Sequence, residues 1–319
     1  MEVLLLHTFQ WNSFSYFFSA HSTQFFLKNC YRKRGIELAD QKAYENCYPF
    51  IYYIEHGKIY YEQAKIAPLI IKPILLFYGL VHLIKACILT VDPNYPETTS
   101  VLAHGVSTRK RKKQQYLFFK DEIKIQKNGL FACMSENMFQ LPSIEGEKFK
   151  MGELLQQIPE LSDLFHIFTG SPSFLPVSFS NTEAIIPSKI LDSYFMSKDR
   201  FQHYLESQLG NPVKNVKTSK TSIEVAFSEP LQPVPPFYYN VLDNKHYIPI
   251  EKRSVHLPEI LVHYLLLYNL SMIARYEIEW WSELLKTMPN QDYPYIESFL
   301  SIAAKKGPQL IYNFLAKKM

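Results

Sequence analysis

Three polar side chains, Tyr78, His82 and Lys85, interrupt the long apolar stretch that runs from Tyr60 to Thr90. Because they follow each other at spacings of four and three residues, they lie along one face of a predicted helix. A phenol, an imidazole and an ammonium group on one stripe can bind an anion, or can transfer protons if burial lowers the pKa of the lysine. The stripe predicts a buried polar site.

A second helix, predicted from Pro258 onward, carries a matching stripe. Tyr264, Tyr268, Ser271 and Arg275 follow each other at spacings of four, three and four residues. A buried arginine keeps its charge, so Arg275 would need a carboxylate or an anionic ligand as its partner.

Three interpretations of Arg275 remain open, the third of which is simple exposure at a helix end. The first is an internal ion pair, with Glu55, Glu62 or Glu277 as the acidic partner. The second is a cleft between the two helices in which Arg275 and Lys85 together bind an anion. The candidate polar cleft consists of Tyr78, His82, Lys85, His104, Tyr268 and Arg275.

The histidines give no metal signature. A lone histidine such as His82 on an apolar helix is more often a core residue than a ligand, whereas His104 precedes Gly105 at a predicted helix end and is better placed for chemistry. No HxxxH, HExxH or CxxC spacing occurs, and neither does a GxGxxG or Walker-type loop. We therefore predict no metal site and no cofactor.

A run of five consecutive cations precedes a short aromatic segment: Arg109, Lys110, Arg111, Lys112 and Lys113. Such a short run is usually a solvated loop. The alternative is contact with the phosphates of RNA or another anion, with Tyr116 and Phe118 stacking on bases, although a strand core is the simpler interpretation of these aromatic residues. The net charge of +4 does not by itself indicate nucleic-acid binding.

The positions of apolar residues, prolines and glycines predict helices at both ends of the chain. The predicted helices span residues 13–31, 52–67, 73–90, the stretch after Pro258, 294–306 and 308–317. Neither set buries its broad apolar face alone, so we expect the two ends to pack together.

The middle of the chain has a mixed pattern. Asn128-Gly129 between two apolar runs predicts a β-hairpin with a type I′ turn. Further predicted elements are helices at 150–168 and 197–209 and strands at 174–180, 221–227 and 245–250. The predicted fold is α+β and predominantly helical, with residues 1–105 and 237–319 forming a helical domain around a mixed α+β insert at 106–236.

Composition indicates a globular protein of 319 residues with 47% hydrophobic and 20% charged residues. The N-terminus lacks the basic region and cleavage site of a signal peptide, and the segment Ile66 to Leu89 is broken by prolines and charged residues, so we predict no transmembrane helix. The widely spaced cysteines indicate reduced thiols in a cytoplasmic protein: Cys30, Cys47, Cys87 and Cys133.

Several segments, in this order and at these distances, carry a resemblance to a known family: YYEQAKIAPLIIKPILLFYGLVHLIKACI, AHGVSTRK, KNGLF, LLQQIPEL and LSMIARYEIEWW. Over nearly its whole length the chain resembles the YaaC-like family of Bacillus-type bacteria. That family is one of uncharacterised proteins, so the resemblance implies a bacterial protein but brings no activity, cofactor or site residue with it.

The residues favour a cytoplasmic binding or regulatory protein that engages an anionic partner, either RNA, a nucleotide or a protein, through the polar cleft or the basic run. The alternative is an enzyme, nuclease-like in one version, that uses Tyr78, His82, Lys85 and Arg275. Helical ribonucleases of the HEPN sort have an arginine followed four to six residues later by histidine. Arg275 has no such histidine, and the Arg200 to His203 and Arg253 to His256 spacings are too short.

Overall fold

The computed structural model describes residues 10–108, 116–231, 234–252 and 257–319. The chain divides into two compact units. The end unit consists of Met1–Gly152 and Glu259–Met319, and the middle unit is Glu153–Pro258. The predicted boundaries at residues 105 and 237 therefore differ from the observed ones, because the elements that directly follow residue 105 pack with the helices of the chain ends.

The end unit begins with a 3-10 helix, Trp11–Phe18, followed by three α-helices: α1 (Ala20–Lys33), α2 (Ala39–Ile66) and α3 (Lys72–Leu89). The predicted single helix at 13–31 is divided at Ser19, where the backbone is extended. The side-chain oxygen of Ser19 caps α1 by accepting a hydrogen bond from the Ser22 N–H at 3.4 Å. The predicted helix at 73–90 is confirmed as α3, and the one predicted at 52–67 is the second half of α2.

A small antiparallel sheet follows α3. Its strands are β1 (Val106–Thr108), β2 (Glu122–Ile125) and β3 (Lys148–Lys150), with β2 in the centre, and α4 (Leu130–Phe139) connects β2 to β3. The predicted hairpin around Asn128-Gly129 is wrong, because the residues after Gly129 form a helix and β2 pairs with β1 and β3 instead.

Gly129 shows why the turn differs. Its φ of +123° places it outside the helical and strand regions, and a Cβ atom on it would collide with the backbone of Gly105. This close approach lets the Leu130 N–H donate to the Ala103 carbonyl at 2.7 Å and the Phe131 N–H to the His104 carbonyl at 3.2 Å. The Asn-Gly pair therefore begins α4 against the segment before β1.

The elements after β3 include α5 (Met151–Leu155) and then α6 (Ser162–Thr169), β4 (Phe174–Phe179), β5 (Glu183–Pro187), α7 (Ile190–Tyr194), α8 (Lys198–Leu209), β6 (Val213–Thr218), β7 (Ser222–Phe227), β8 (Tyr238–Asn240) and β9 (Lys245–Pro249). The last six strands form one antiparallel sheet in the order β6-β7-β5-β4-β9-β8. The strands predicted at 174–180, 221–227 and 245–250 and the helix predicted at 197–209 are confirmed. The middle unit has its own core, in which alternate residues of β7 pack with α8.

The chain ends in three helices: α9 (Glu259–Tyr276), α10 (Ile278–Thr287) and α11 (Asp292–Ala316). The prediction of separate helices at 294–306 and 308–317 is wrong, since α11 continues through Pro308. The residue before it is Gly307, which has no Cβ to clash with the proline ring and so permits the helical backbone there.

Helix α3 is the centre of the end unit, and it packs against α2, α9 and α11. The predicted packing of the two chain ends on each other is thereby confirmed. By length and composition α3 could also cross a membrane, but 67% of its residues are buried inside the protein, as in the core helix of a bundle.

The four cysteines are free thiols and all are buried: Cys30, Cys47, Cys87 and Cys133. Burial raises the pKa of each of them, to about 11 for Cys30 and for Cys133. A thiol that stays protonated is a poor nucleophile, so these side chains act as small apolar core residues.

Candidate functional site

Within the end unit the six residues of the predicted polar cleft are connected through tyrosine rings. Arg275 and His104 contact Tyr78 directly. His82 contacts Tyr60, which in turn contacts Tyr78, and Lys85 lies over Tyr53. We use the name aromatic-cation cluster for these six and two tyrosines of α2 beside them: Tyr53, Tyr60, Tyr78, His82, Lys85, His104, Tyr268 and Arg275. Helix α3 supplies the first predicted stripe, α9 supplies Tyr268 and Arg275, and His104 belongs to the segment before β1. The close packing of α3 on both α2 and α9 places these side chains side by side.

Arg275 is held by aromatic and backbone groups. Its Nη1 donates to the Tyr78 hydroxyl at 3.1 Å and its Nε donates to the Ser271 carbonyl at 3.1 Å. The guanidinium carbon lies 5.7 Å from the centre of the Tyr78 ring and 5.2 Å from that of Tyr276, within cation–π range.

Among the residues that the structure describes, none of the three glutamates proposed as partners forms an ion pair with Arg275. Glu62 lies 3.8 Å from Lys58 on its own helix, and neither Glu55 nor Glu277 forms an ion pair there. The internal ion pair expected for Arg275 is therefore corrected to contacts with uncharged groups. The guanidinium keeps its positive charge, and none of the described carboxylates neutralises it.

Lys85 has a similar environment. Its Nζ lies 5.7 Å from the centre of the Tyr53 ring, and within the described part of the chain no carboxylate reaches it. Burial lowers its pKa below that of a free lysine, because the low-dielectric surroundings disfavour the ammonium form. Both cations of the cluster are thus half-buried and unpaired.

His82 lies between the tyrosines of α2. Its ring stacks on Tyr60 at a centroid distance of 5.5 Å and is tilted against Tyr53 at 6.2 Å. Its Nδ1 is buried and has no hydrogen-bond partner in the described structure. Burial, then the charges of Lys85 and His56, lower the pKa of His82 to about 4, so the imidazole is neutral near pH 7.

His104 packs between a tyrosine of α3 and a tyrosine of α9. Its ring contacts the rings of Tyr78 and Tyr268 at centroid distances of 6.1 and 5.5 Å. Burial lowers the pKa of His104, and the positive charges of Arg275 and Lys85 lower it further. Because both cations act on this imidazole, His104 lies within the electrostatic reach of each.

Taken together, the cluster contains two cations, two imidazoles with lowered pKa values and four phenol rings, but no carboxylate among the described residues. Such a surface can bind an anion by charge and by hydrogen bonds from the phenols. No group of three or more metal-ligating side chains occurs in the described ranges, so the cluster lacks the donors for a cation site.

Sequence reasoning missed the contribution of α2. Tyr53, His56 and Tyr60 follow each other at spacings of three and four residues and lie on one helical face. The same spacing rule that identified the stripe on α3 would have found this face. It went unnoticed because tyrosines on a helix usually pack in a core.

The end unit contains a buried ion pair of the kind considered for Arg275, but it is formed by other residues. Lys306 on α11 is only 2% exposed and pairs with Glu259 at the start of α9. Burial acts to raise the pKa of Glu259, but Lys306 and His263 together lower it below its usual value. Here a buried cation has the carboxylate that Lys85 and Arg275 lack.

The basic run Arg109 to Lys113 lies outside the described residues. Of the aromatic residues beside it, Phe118 is fully buried and its N–H donates to an Asp292 carboxylate oxygen at 2.9 Å. Tyr116 donates to Asp121 at 2.7 Å and contacts the edge of Trp280. Phe118 is therefore a core residue and Tyr116 is half-buried, and the two lie in and before a 3-10 turn rather than in a strand.

Comparison with known proteins gives a family and no closer relative. The sequence profile of the family described as YaaC-like Protein matches residues 15–315. No curated protein and no solved structure matches the chain. The match spans both units and every residue of the aromatic-cation cluster.

Proposed function

Since this chain belongs to the YaaC-like protein family, whose description names no reaction, we propose from its geometry that it is a binding protein for an anionic ligand. The ligand binds at the aromatic-cation cluster. The proposal keeps the binding function expected from the sequence and assigns it to this cluster.

The observation that carries the proposal is the pair of unpaired cations, Lys85 and Arg275. Moving an ammonium or guanidinium group out of water costs several kcal/mol unless an opposite charge recovers it, so buried cations are normally paired. In this protein the Lys306 side chain follows that rule. An anion bound between Lys85 and Arg275 would supply the missing charge.

The aromatic rings favour a flat ligand. Lys85 lies over the ring of Tyr53 and Arg275 over the ring of Tyr78, and Tyr60 contacts both Tyr78 and His82. The faces and edges of such rings accept planar groups. Of the anionic partners expected from the sequence, a nucleotide combines phosphate charge with a planar base. We therefore place a nucleotide ahead of a protein or RNA segment as the ligand.

An enzymatic role is the second candidate, and the lowered pKa values of Lys85 and His104 favour it. A lysine that loses its proton more easily can act as a general base on a bound substrate. Chemical change of the bound ligand over time, measured by mass spectrometry, separates an enzyme from a binding protein.

The first prediction concerns the native ligand. We expect protein purified at low salt to release a phosphate-bearing small molecule on denaturation, in about equal molar amount, and Lys85→Met and Arg275→Met to abolish its retention. Mass spectrometry of the released molecules, with ultraviolet absorbance for nucleic acid, is the measurement. Lys58→Met is the matched control, because Lys58 also lies over an aromatic ring but outside the cluster.

Stability provides the second readout of the same experiment. Among the described residues Arg275 has no carboxylate partner, so Arg275→Met leaves no charge unpaired. It removes the desolvation cost of the guanidinium together with its hydrogen bonds to Tyr78 and Ser271, and because these effects offset each other the free energy of unfolding should change by about 1 kcal/mol or less. An empty wild-type protein, or equal ligand content in wild type and both variants, contradicts the proposed function. A large loss of stability in Arg275→Met would restore the ion-pair interpretation.

A further inference from the structure

A second cationic surface lies in the middle unit, on one face of α8. Phe201 and Leu205 on the opposite face are buried in the core of that unit. The other face borders an open cavity of about 530 Å³, to which the segment before α8 and the segment after β9 also contribute. We call this cavity the α8 groove; its lining includes Phe195, Met196, Arg200, His203, Tyr204 and Lys252.

The charges of the groove are not neutralised internally. The guanidinium of Arg200 has no partner among the described residues, and the Nζ of Lys252 lies 5.6 Å from the centre of the Tyr204 ring. The nearby carboxylate of Glu206 is engaged by the Val213 N–H at 3.1 Å and by His203 at 3.2 Å. Within the described ranges two cations therefore face the cavity without an acidic counterpart.

An independent observation comes from Phe195, at the rim of the groove. Its backbone is left-handed, with φ 52° and ψ 44°, which costs a residue other than glycine about 1–2 kcal/mol. Its ring is 91% exposed, so the fold gains no burial from this side chain. Phe195 ends α7 in the left-handed conformation that is common at helix C-termini, and its exposed ring is accessible to a ligand in the groove.

We propose that the α8 groove binds a small organic anion with an aromatic ring, of the size of a nucleoside monophosphate. The anionic group lies between Arg200 and Lys252, and the ring packs against Phe195 and Met196. The cavity volume falls in the range of about 300–1,000 Å³ that small-molecule sites occupy. Since both cations are solvent-exposed, we expect a dissociation constant on the order of 0.1 mM.

The test uses the full chain and 4-fluorophenyl phosphate as the probe, with binding followed by the ¹⁹F NMR line width and shift. Arg200→Gln and Lys252→Gln should each raise the dissociation constant by about tenfold through loss of a charged contact. Phe195→Asn should also weaken binding of the probe, and asparagine tolerates the left-handed backbone, so this variant keeps the fold. AMP should displace the probe from the wild-type protein.

Lys198→Gln is the matched control, because Lys198 is an exposed cation of the same helix that does not line the groove. It should leave the dissociation constant unchanged. Equal weakening by Lys198→Gln would indicate unspecific attraction, and equally tight binding of neutral 4-fluorobenzyl alcohol would remove the role of charge. Probe binding that survives Arg200→Gln and Lys252→Gln but is lost in Arg275→Met would assign the probe to the aromatic-cation cluster. Each of these results overturns the proposal, as does the absence of any binding.

Discussion

At the scale of single residues, burial changes the chemistry of His82 more than any neighbouring charge does. Desolvation is the largest cause of its lowered pKa, and Lys85 and His56 add to it. The same holds for His104, whose pKa is lowered most by burial and less by the charges of Arg275 and Lys85. The cluster therefore keeps its imidazoles neutral at pH 7 and places its positive charge on Lys85 and Arg275.

This protonation state predicts a pH dependence of stability. The pKa of His82 is about 4 in the folded protein and about 6.5 in an unfolded chain. Its contribution to stability is therefore fully present above pH 6.5 and is lost as the pH falls toward 4, because the unfolded chain binds the proton first. We expect His82→Gln to reduce the fall in melting temperature between pH 7 and pH 5.

Thermal unfolding at several pH values measures this effect. His203→Gln is the control, since its side chain is largely exposed at the surface of the other unit. Some slope should persist in His82→Gln, because the pKa of His104 is lowered as well. Identical slopes for wild type and His82→Gln would contradict the prediction.

The residues of the cluster could be named from spacing, but their partners could not. Regular intervals showed that Tyr78, His82 and Lys85 share a face, and the structure brings that face together with Arg275. Glutamates occur on or next to the same helices, so the sequence alone could not show that none of them pairs with Lys85 or Arg275. That outcome depends on which helix faces meet in the fold. Conversely, Lys306 follows Lys305, and two adjacent lysines usually indicate an exposed position. The side chain of Lys306 is nevertheless buried and pairs with Glu259.

At the scale of elements, the packing of α2, α3 and α11 depends on the space around Tyr61. This tyrosine is fully buried, and its hydroxyl has no hydrogen-bond partner in the described structure. A Cβ atom on Gly79 would lie 2.8 Å from the Tyr61 ring, and one on Gly307 would collide with the hydroxyl. Two glycines on separate helices therefore make room for one side chain.

This arrangement predicts compensation between two substitutions. Gly307→Ala should destabilise the protein by about 1–3 kcal/mol, because overpacking outweighs the better helix propensity of alanine. Tyr61→Phe should be neutral or slightly stabilising, because it removes an unpaired hydroxyl from the core. The double variant should regain part of the loss, since the hydroxyl that collides is gone while the alanine Cβ still meets the Pro308 ring.

Urea unfolding of the two single variants and the double variant measures the coupling free energy. Gly79→Ala is a useful comparison, because a Cβ there would meet the Tyr61 ring rather than its hydroxyl, and Tyr61→Phe should not rescue it. Strictly additive effects of Gly307→Ala and Tyr61→Phe would show that the close approach has no energetic consequence.

Local rules predicted elements well where one segment decides its own structure and failed where a distant segment intervenes. The alternation of Ile223, Val225 and Phe227 was sufficient to identify β7. The Asn128-Gly129 pair favours a hairpin locally, but the approach of Gly105 redirects the chain into α4. Such tertiary contacts carry no signal within the segment that they change.

At the scale of the whole molecule, the middle unit is one continuous stretch of chain with a core of its own. Alternate residues of its sheet, such as Ile186, pack in one core with residues of α7 and α8, such as Phe201. The end unit is discontinuous, because helices from both chain ends share its core around α3. A continuous segment with a separate core has the features of an independently folding domain.

We therefore expect the fragment Glu153–Pro258 to fold alone. It should show strand and helix signals by circular dichroism and a single cooperative thermal transition. Val225→Asp, which places a charge at a position that is 1% exposed, should abolish that transition and serves as the control. A wild-type fragment without cooperative unfolding would mean that this unit needs the rest of the chain.

The burial of the four thiols has a practical consequence for such experiments. All four cysteines, and all three tryptophans, Trp11, Trp280 and Trp281, belong to the end unit, while the middle unit contains neither residue type. Tryptophan fluorescence and thiol labelling under denaturing conditions therefore report on one unit alone. A single cysteine introduced on the exposed face of α8, for example by Ser207→Cys, would be the one reactive thiol of the folded protein and would accept a fluorophore beside the α8 groove.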